Sequence, residues 1–182
     1  MKTGKTIGDF AAKDSQKVVL RTPRGEDLDD LLELINSLVD EKAEIIANEK
    51  VSREEEIDWL SKALSRLERN ETFYLVAEVD GKVVAISEID KRSGHQKHVG
   101  MMGIAVRRGF RDLGIGTEMT KTLVNQAQKM GLKVLTLSAF ASNKRAIHIY
   151  EKVGFVQTGR VPKKFFKEGK YIDEIIMAKL LE

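Results

Sequence analysis

The chain has 182 residues, of which 42% are hydrophobic and 32% charged, enough apolar material for one domain with a sizeable core and an ordinary mixed-sign surface. A net charge of +3 permits contact with polyanions without implying it, and the absence of cysteine excludes disulfides, thiolate metal ligands and a cysteine nucleophile. The three histidines, His95, His98 and His148, have no metal-ligand spacing, and no stretch approaches the ~20 apolar residues of a membrane span.

Residues 1–16 (MKTGKTIGDFAAKDSQ) are polar, lack a signal-peptide core and read as a flexible N-terminal tail on a single domain of residues 17–182. The expectation is a cytoplasmic protein without membrane contact. Lys17–Arg21 is a short β-rich run. Leu28, Leu31, Leu32, Ile35, Leu38 and Val39 then recur at helical spacing. Ser52-Arg-Glu-Glu55 is a capping box that opens a second helix with Ile57, Leu60, Leu64 and Leu67 on one face. Thr72–Val79 and Lys82–Asp90 are strands, and Asp80-Gly81 between them signals a hairpin. His98–Val106 is a further strand. Residues 114–130 have helical periodicity, with Gly131 placed for a left-handed cap. Lys133–Phe140 is a strand, Ala146–Val153 a short helix stopped at Gly154, and Tyr171–Leu181 a last strand. The order predicts an α/β fold: a mixed sheet with helices on its faces.

Residues 107–119, RRGFRDLGIGTEM, place two close glycines just before a helix. A P-loop fails because Ile115 stands where lysine is needed, and a dinucleotide fingerprint fails at Met119. An RNA-recognition strand starts well at Arg108-Gly109-Phe110 and breaks at Arg111-Asp112. What remains is R-x-x-G-x-G, from Arg111 to Gly116. Unpaired amides at a helix start attract anions, and Gly114 and Gly116 carry no Cβ to hold one away. A plain glycine turn capping a core helix is the other reading.

Residues 142–155, SNKRAIHIYEKVGF, extend the pattern. Together with Val106–Gly116 they resemble the GNAT superfamily of acetyl-CoA-dependent N-acetyltransferases. Arg111 to Gly116 look like its pyrophosphate motif, and Asn143, Ala146, Tyr150 and Gly154-Phe155 like its second motif. The resemblance implies a mostly antiparallel central sheet with a splayed parallel strand pair, His98–Val106 and Lys133–Phe140, and helices on both faces. It implies that acetyl-CoA lies in the wedge, its pantetheine along Ile104, Ala105 and Val106. Its pyrophosphate would sit on Arg111, Asp112, Leu113, Gly114, Ile115, Gly116 and Thr117, with Asn143, Ala146 and Tyr150 beside it. Two positions depart from the family pattern: Arg108 stands where proline is common, and Asp112 puts an acid beside the phosphate turn.

Acetyl transfer to an amine needs a proton acceptor for the ammonium, donors for the thioester oxygen and a proton for the departing sulfur. Tyr150 is the candidate for the last role; its other reading is a core tyrosine. Family members often place a glutamate on one of the splayed strands, but the corresponding positions here are Gly100 and Ser138. That leaves His98 and Glu88 as candidate bases. The acceptor is a small-molecule or peptide amine, reached by direct attack in a ternary complex. Asp40, Glu41, Glu44 and Glu49 flank its expected entry, with Phe165, Phe166 and Tyr171 on the opposite wall. Two other classes stay open: an acyl-CoA-binding sensor without transfer, and a nucleic-acid binder using Arg107-Arg108 and Lys163-Lys164. The expected partners are acetyl-CoA and the amine rather than nucleic acid, with a homodimer possible and no metal.

Overall fold

The structure is a computed structural model that describes residues 1–182. Eight strands form one sheet in the order β1-β2-β3-β4-β5-β6-β8-β7. They are β1 (Thr6–Ala11), β2 (Lys17–Arg21), β3 (Thr72–Val79), β4 (Lys82–Lys91), β5 (Val99–Val106), β6 (Val134–Phe140), β7 (Val156–Lys167) and β8 (Lys170–Leu180). The helices are α1 (Leu28–Asp40), α2 (Arg53–Glu68), α3 (Ile115–Lys129) and α4 (Lys144–Lys152). All neighbouring strands are antiparallel except β5 and β6, as expected. Strand β3 is buried along almost its whole length, because α2 and α3 both pack against it.

Local chemistry explains the boundaries. Ser52 Oγ accepts from Glu55 N at 3.2 Å and Glu55 Oε2 accepts from Ser52 N at 2.8 Å, so the capping box starts α2 where the sequence puts it. Asp80 and Gly81 both have positive φ, the geometry a tight β3–β4 turn requires. Asn143 Oδ1 accepts from Ala146 N at 3.1 Å, so α4 begins at Lys144, two residues earlier than its periodicity suggests.

Two elements depart from the sequence reading. Residues 1–16 are not a loose tail: Thr6–Ala11 form β1, paired with β2 from Thr6↔Arg21 to Ala11↔Lys17. The loop beyond β1 returns to the body of the protein, where Lys13 N donates to Leu113 O at 3.1 Å. The second is β7, twelve residues at the sheet edge containing Pro162 and an irregularity between Val161 and Phe165. An edge tolerates proline because one side of the strand has no ladder to complete.

The first two helices are fastened to the sheet by polar side chains. Arg21 donates to both carboxylate oxygens of Asp27 and to Glu78 Oε2, each at 2.7 Å. Arg21 and Asp27 are almost fully buried, so this bidentate pair is fully desolvated and fixes the entry of α1 against β2 and β3. Further along α1, Asp30 Oδ2 accepts from Val83 N at 2.8 Å. Glu33 receives Lys82 and Arg107, and those contacts, Arg107 first, pull its carboxyl down to about 2. Asn36 grips Val51 through both its amide oxygen and nitrogen, at 2.8 and 3.0 Å, which holds the α1–α2 connection over one end of the sheet.

Candidate active site

The parallel pair separates after three partners, Val99↔Val134, Gly100↔Leu135 and Met101↔Thr136. At that point Thr136 Oγ1 donates to Gly100 O at 3.0 Å, fastening the last joined position. Beyond it β5 still pairs with β4 up to Ala85↔Val106, and Arg107 N donates to Val84 O at 2.9 Å. Bonding alternates along an antiparallel ladder, so the N–H and C=O groups of Ile104 and Val106 point away from β4 into the wedge. Arg111 Nε closes on Val106 O at 2.9 Å, leaving the N–H of Val106 and both groups of Ile104 free.

After β5 the chain turns through Arg111–Gly114 into α3. Gly114 is the N-cap, with φ 91°. None of the backbone N–H groups from Arg111 to Thr117 donates to a protein acceptor, so a row of unpaired amides stands at the positive end of a fifteen-residue helix. That is an anion site built from backbone. The guanidinium of Arg111 is committed elsewhere: besides Val106 it pairs with Glu41 at the end of α1. Asp112 has φ 64°, a conformation that favours glycine, and its carboxylate pairs with Arg145 of α4 at 3.2 Å. Arg145 thereby offsets the acid noted beside the turn. Asp112→Gly should relieve backbone strain worth about 1 kcal/mol, less the small value of an exposed ion pair, and raise the melting temperature by less than about 4 °C in a thermal scan.

The wedge and the turn open into one cleft of about 1160 Å³, walled by α1, the α1–α2 connection, α2, β4, β5, β6, α4 and Phe165 of β7. Tyr150 lines it from α4. Its ring meets Phe155 edge-on at 6.0 Å, and burial raises its hydroxyl to about 12, so it remains a protonated donor through neutral pH. Glu88 lines the cleft from β4, opposite Gly103. A Cβ at Gly103 would stand 3.7 Å from Glu88 Oε1, so the carboxyl leans across the glycine toward the gap between the strands. Burial, and then the nearby charge of Asp90, push the Glu88 carboxyl above its ordinary pKa, while Arg66 opposes them. A raised carboxyl and a protonated tyrosine lining one cleft supply the groups an acid–base pair needs.

Not every expected residue reaches this cleft. Ile104, Ala105, Val106, Arg111, Asp112, Gly116, Asn143, Ala146, Tyr150 and Glu88 line it. Leu113, Gly114, Ile115 and Thr117 shape the turn without lining the cleft, and Ile115 is a core side chain, 1% exposed. His98 lies outside: it is exposed and precedes β5 at the end where β5 and β6 are still joined, its carbonyl accepting from Lys133 N at 2.8 Å. It is therefore withdrawn as a base. Position 100 offers no room for a catalytic side chain either, since a Cβ there would meet Leu132 Cδ1 at 2.7 Å and Ile89 Cγ2 at 2.9 Å. Of the four acids near the acceptor entry, Glu41 and Glu44 line the cleft, Asp40 pairs with Lys50 at 2.9 Å, and Glu49 stands away. Phe165 stacks on Phe140 with ring centres 3.8 Å apart, whereas Phe166 and Tyr171 pair with each other on the surface. Sequence reasoning passed over Glu56 and Trp59 of α2, which also line the cleft. Their i, i+3 spacing was visible, but beside a capping box an acid reads as part of the helix start.

Residues 32–155 match the profile of the Acetyltransferase (GNAT) family. The chain belongs to that family. Members of the family use acetyl-CoA as acetyl donor. Among curated proteins, the chain is 29% identical to the L-amino acid N-acetyltransferase AaaT of Escherichia coli, over 58% of this chain and 67% of AaaT. The fold is shared with a GNAT acetyltransferase from Streptococcus pneumoniae, at TM-score 0.81 and 25% identity, covering 91% of this chain and 99% of that one. It is shared also with YncA of Salmonella typhimurium, solved with its cofactor acetyl-CoA, at TM-score 0.80 and 21% identity, covering 91% and 94%. No helix of the GNAT domain is long and apolar enough to cross a membrane.

Proposed function

We propose that this GNAT protein transfers an acetyl group from acetyl-CoA to a primary amine by direct attack, with both substrates bound in the same cleft. The observation that carries the reading is that one continuous cleft is lined by Arg111, Asp112 and Gly116 of the unpaired turn, the free edge at Ile104, Glu88 and Tyr150. The pyrophosphate is held on the turn amides. The pantetheine amides pair with the free groups of Ile104, and Asn143, whose oxygen caps α4, presents its remaining N–H groups to the same ligand. Lys144 adds positive charge at that end, and Arg145 offsets Asp112.

The chemistry follows from the side chains. The acceptor arrives as an ammonium, and the Glu88 carboxylate takes its proton directly or through one water. The freed nitrogen forms its bond to the acetyl carbon while the backbone N–H of Val106 or Ile104 stabilises charge on the thioester oxygen. The carbon–sulfur bond breaks, the Tyr150 hydroxyl protonates the departing sulfur, and the second proton on the new amide nitrogen passes through water to the tyrosinate, restoring Tyr150. Glu88 returns to its starting form by releasing its proton to water.

An assay of coenzyme A thiol release across amine classes tests this reading. Turnover with any amine supports it, whereas a protein that binds acetyl-CoA and acetylates no amine would be an acyl-CoA sensor. The turn can be tested separately. A Cβ at Gly116 would stand 3.4 Å from Ile149 Cδ1 and 3.9 Å from Val106 Cγ2, both cleft-lining. Gly116→Val should therefore narrow the cleft beside the turn and weaken acetyl-CoA binding at least tenfold, about 1.4 kcal/mol. Calorimetry on the folded variant reads this out, and unchanged affinity would move the phosphate site elsewhere.

A further inference from the structure

The half of the cleft facing α1 and α2 has an unusual charge balance. Three of its bases are committed, while Arg108 has no partner: Lys42 pairs with Glu168 at 2.7 Å, Lys167 donates to the carbonyl of Lys42, and Arg111 is held by Glu41. Three of its acids are not. Glu44, Glu56 and Glu88 make no hydrogen bond or ion pair within the chain and all line the cleft. Glu56 is the least ordinary of the three, being 5% exposed. Its carboxyl receives no donor from the protein and its oxygens open to the cleft, so whatever fills the cleft supplies their hydrogen bonds. One turn further along α2, Trp59 lines the same cleft with its ring edge-on to Tyr74 at 5.9 Å. Tyr74 is in turn the β3 partner of Glu88. A carboxyl and an indole face three residues apart on one helix are the two groups that hold an organic cation best.

Glu88 and Glu56 also act as separate sites. Neighbouring charges Asp90 and Arg66 act on Glu88, whereas burial is the sole influence on Glu56. They come from different walls of the cleft, Glu56 from α2 and Glu88 from β4, which offers two carboxyls to one molecule. We propose that Glu56 and Trp59 form a subsite for a second cationic group of the acceptor, making small diamines or polyamines the acceptor class. One amine presents itself to Glu88 for transfer and the other is anchored at Glu56. The proposal rests on the acetyl-transfer reading for its chemistry but not for its binding.

Calorimetry on protein saturated with coenzyme A, titrated with putrescine or with butylamine, tests the anchor without turnover. These ligands share a stem and differ in the second amine. Putrescine should bind about tenfold tighter or more in the wild type, and Glu56→Gln should bring the two to near parity. Trp59→Leu should also narrow the gap, and it decides the matter if Glu56→Gln does not fold. Equal affinities in the wild type, or a full putrescine preference retained in the folded variants, overturn the proposal. Acetyl-CoA turnover measured on the same samples separates the two ideas. A binding preference without acetylation of either amine leaves the anchor standing and refutes the transfer reaction. Acetylation of both amines without a preference does the reverse.

Discussion

Replacing Glu88 by glutamine is expected to lower kcat/KM for a good amine by about 10²–10⁴-fold, the usual contribution of a positioned proton acceptor. The substitution keeps the size of the side chain and its place across Gly103, so acetyl-CoA affinity should be little changed. The pH profile carries the more specific signature. The base works only when deprotonated, so kcat/KM in the wild type should rise with pH through the pKa of Glu88. That rise should lie above the ordinary carboxylate range, because burial first and Asp90 second push the group upward. In Glu88→Gln the limb should vanish. A variant that retains both the rate and the limb would transfer the role to water or to another group.

Tyr150→Phe should reduce kcat by about 10²–10⁴-fold while leaving the dissociation constant of acetyl-CoA nearly unchanged. Phenylalanine preserves the ring and its edge-on contact with Phe155, so it removes only the donor. The hydroxyl, raised to about 12 by burial, is protonated throughout the range in which Glu88 titrates. Between the pKa of Glu88 and that of Tyr150 the two groups hold opposite protonation states, as a base and an acid acting in one turnover require. Steady-state kinetics with saturating amine, together with direct binding of acetyl-CoA, checks the split. An unaltered kcat would reduce Tyr150 to packing.

Much of this architecture could be read from local chemistry. The Ser52–Glu55 box, the Asp80-Gly81 turn and the Gly114–Gly131 bounds of α3 are written in a few residues each, and the structure repeats them. The phosphate turn was legible for the same reason: it is backbone, and glycine reports backbone. The edges of the sheet were not. Strand β1 carries only Ile7 and Phe10 as large apolar side chains, and β7 is mostly exposed and broken by Pro162, so neither displays an alternation that marks a buried face. The base was ambiguous because sequence shows which strand a carboxylate is on but not whether a neighbouring strand yields to it. Gly103 does yield, and only the β4–β5 register reveals it. Gly100, which looked like a missing glutamate, is instead a place where three apolar side chains occupy the space of a Cβ.

The separation of β5 from β6 also bears on how an unfinished seam in the sheet avoids pairing with a strand of another chain. A sheet normally ends in exposed ladders that invite another chain, and proteins blunt them with charge, proline or short length. Here an unfinished ladder sits in the middle of the sheet, with Ile104 offering both of its groups. It cannot recruit a neighbour's strand, because α1 and the α1–α2 connection stand on one side of the gap and α4 with Phe165 on the other. Only something as slender as one unbranched arm can thread between them. The opening is thus a filter by thickness: it shields a vulnerable seam from aggregation while leaving it accessible to a flexible ligand.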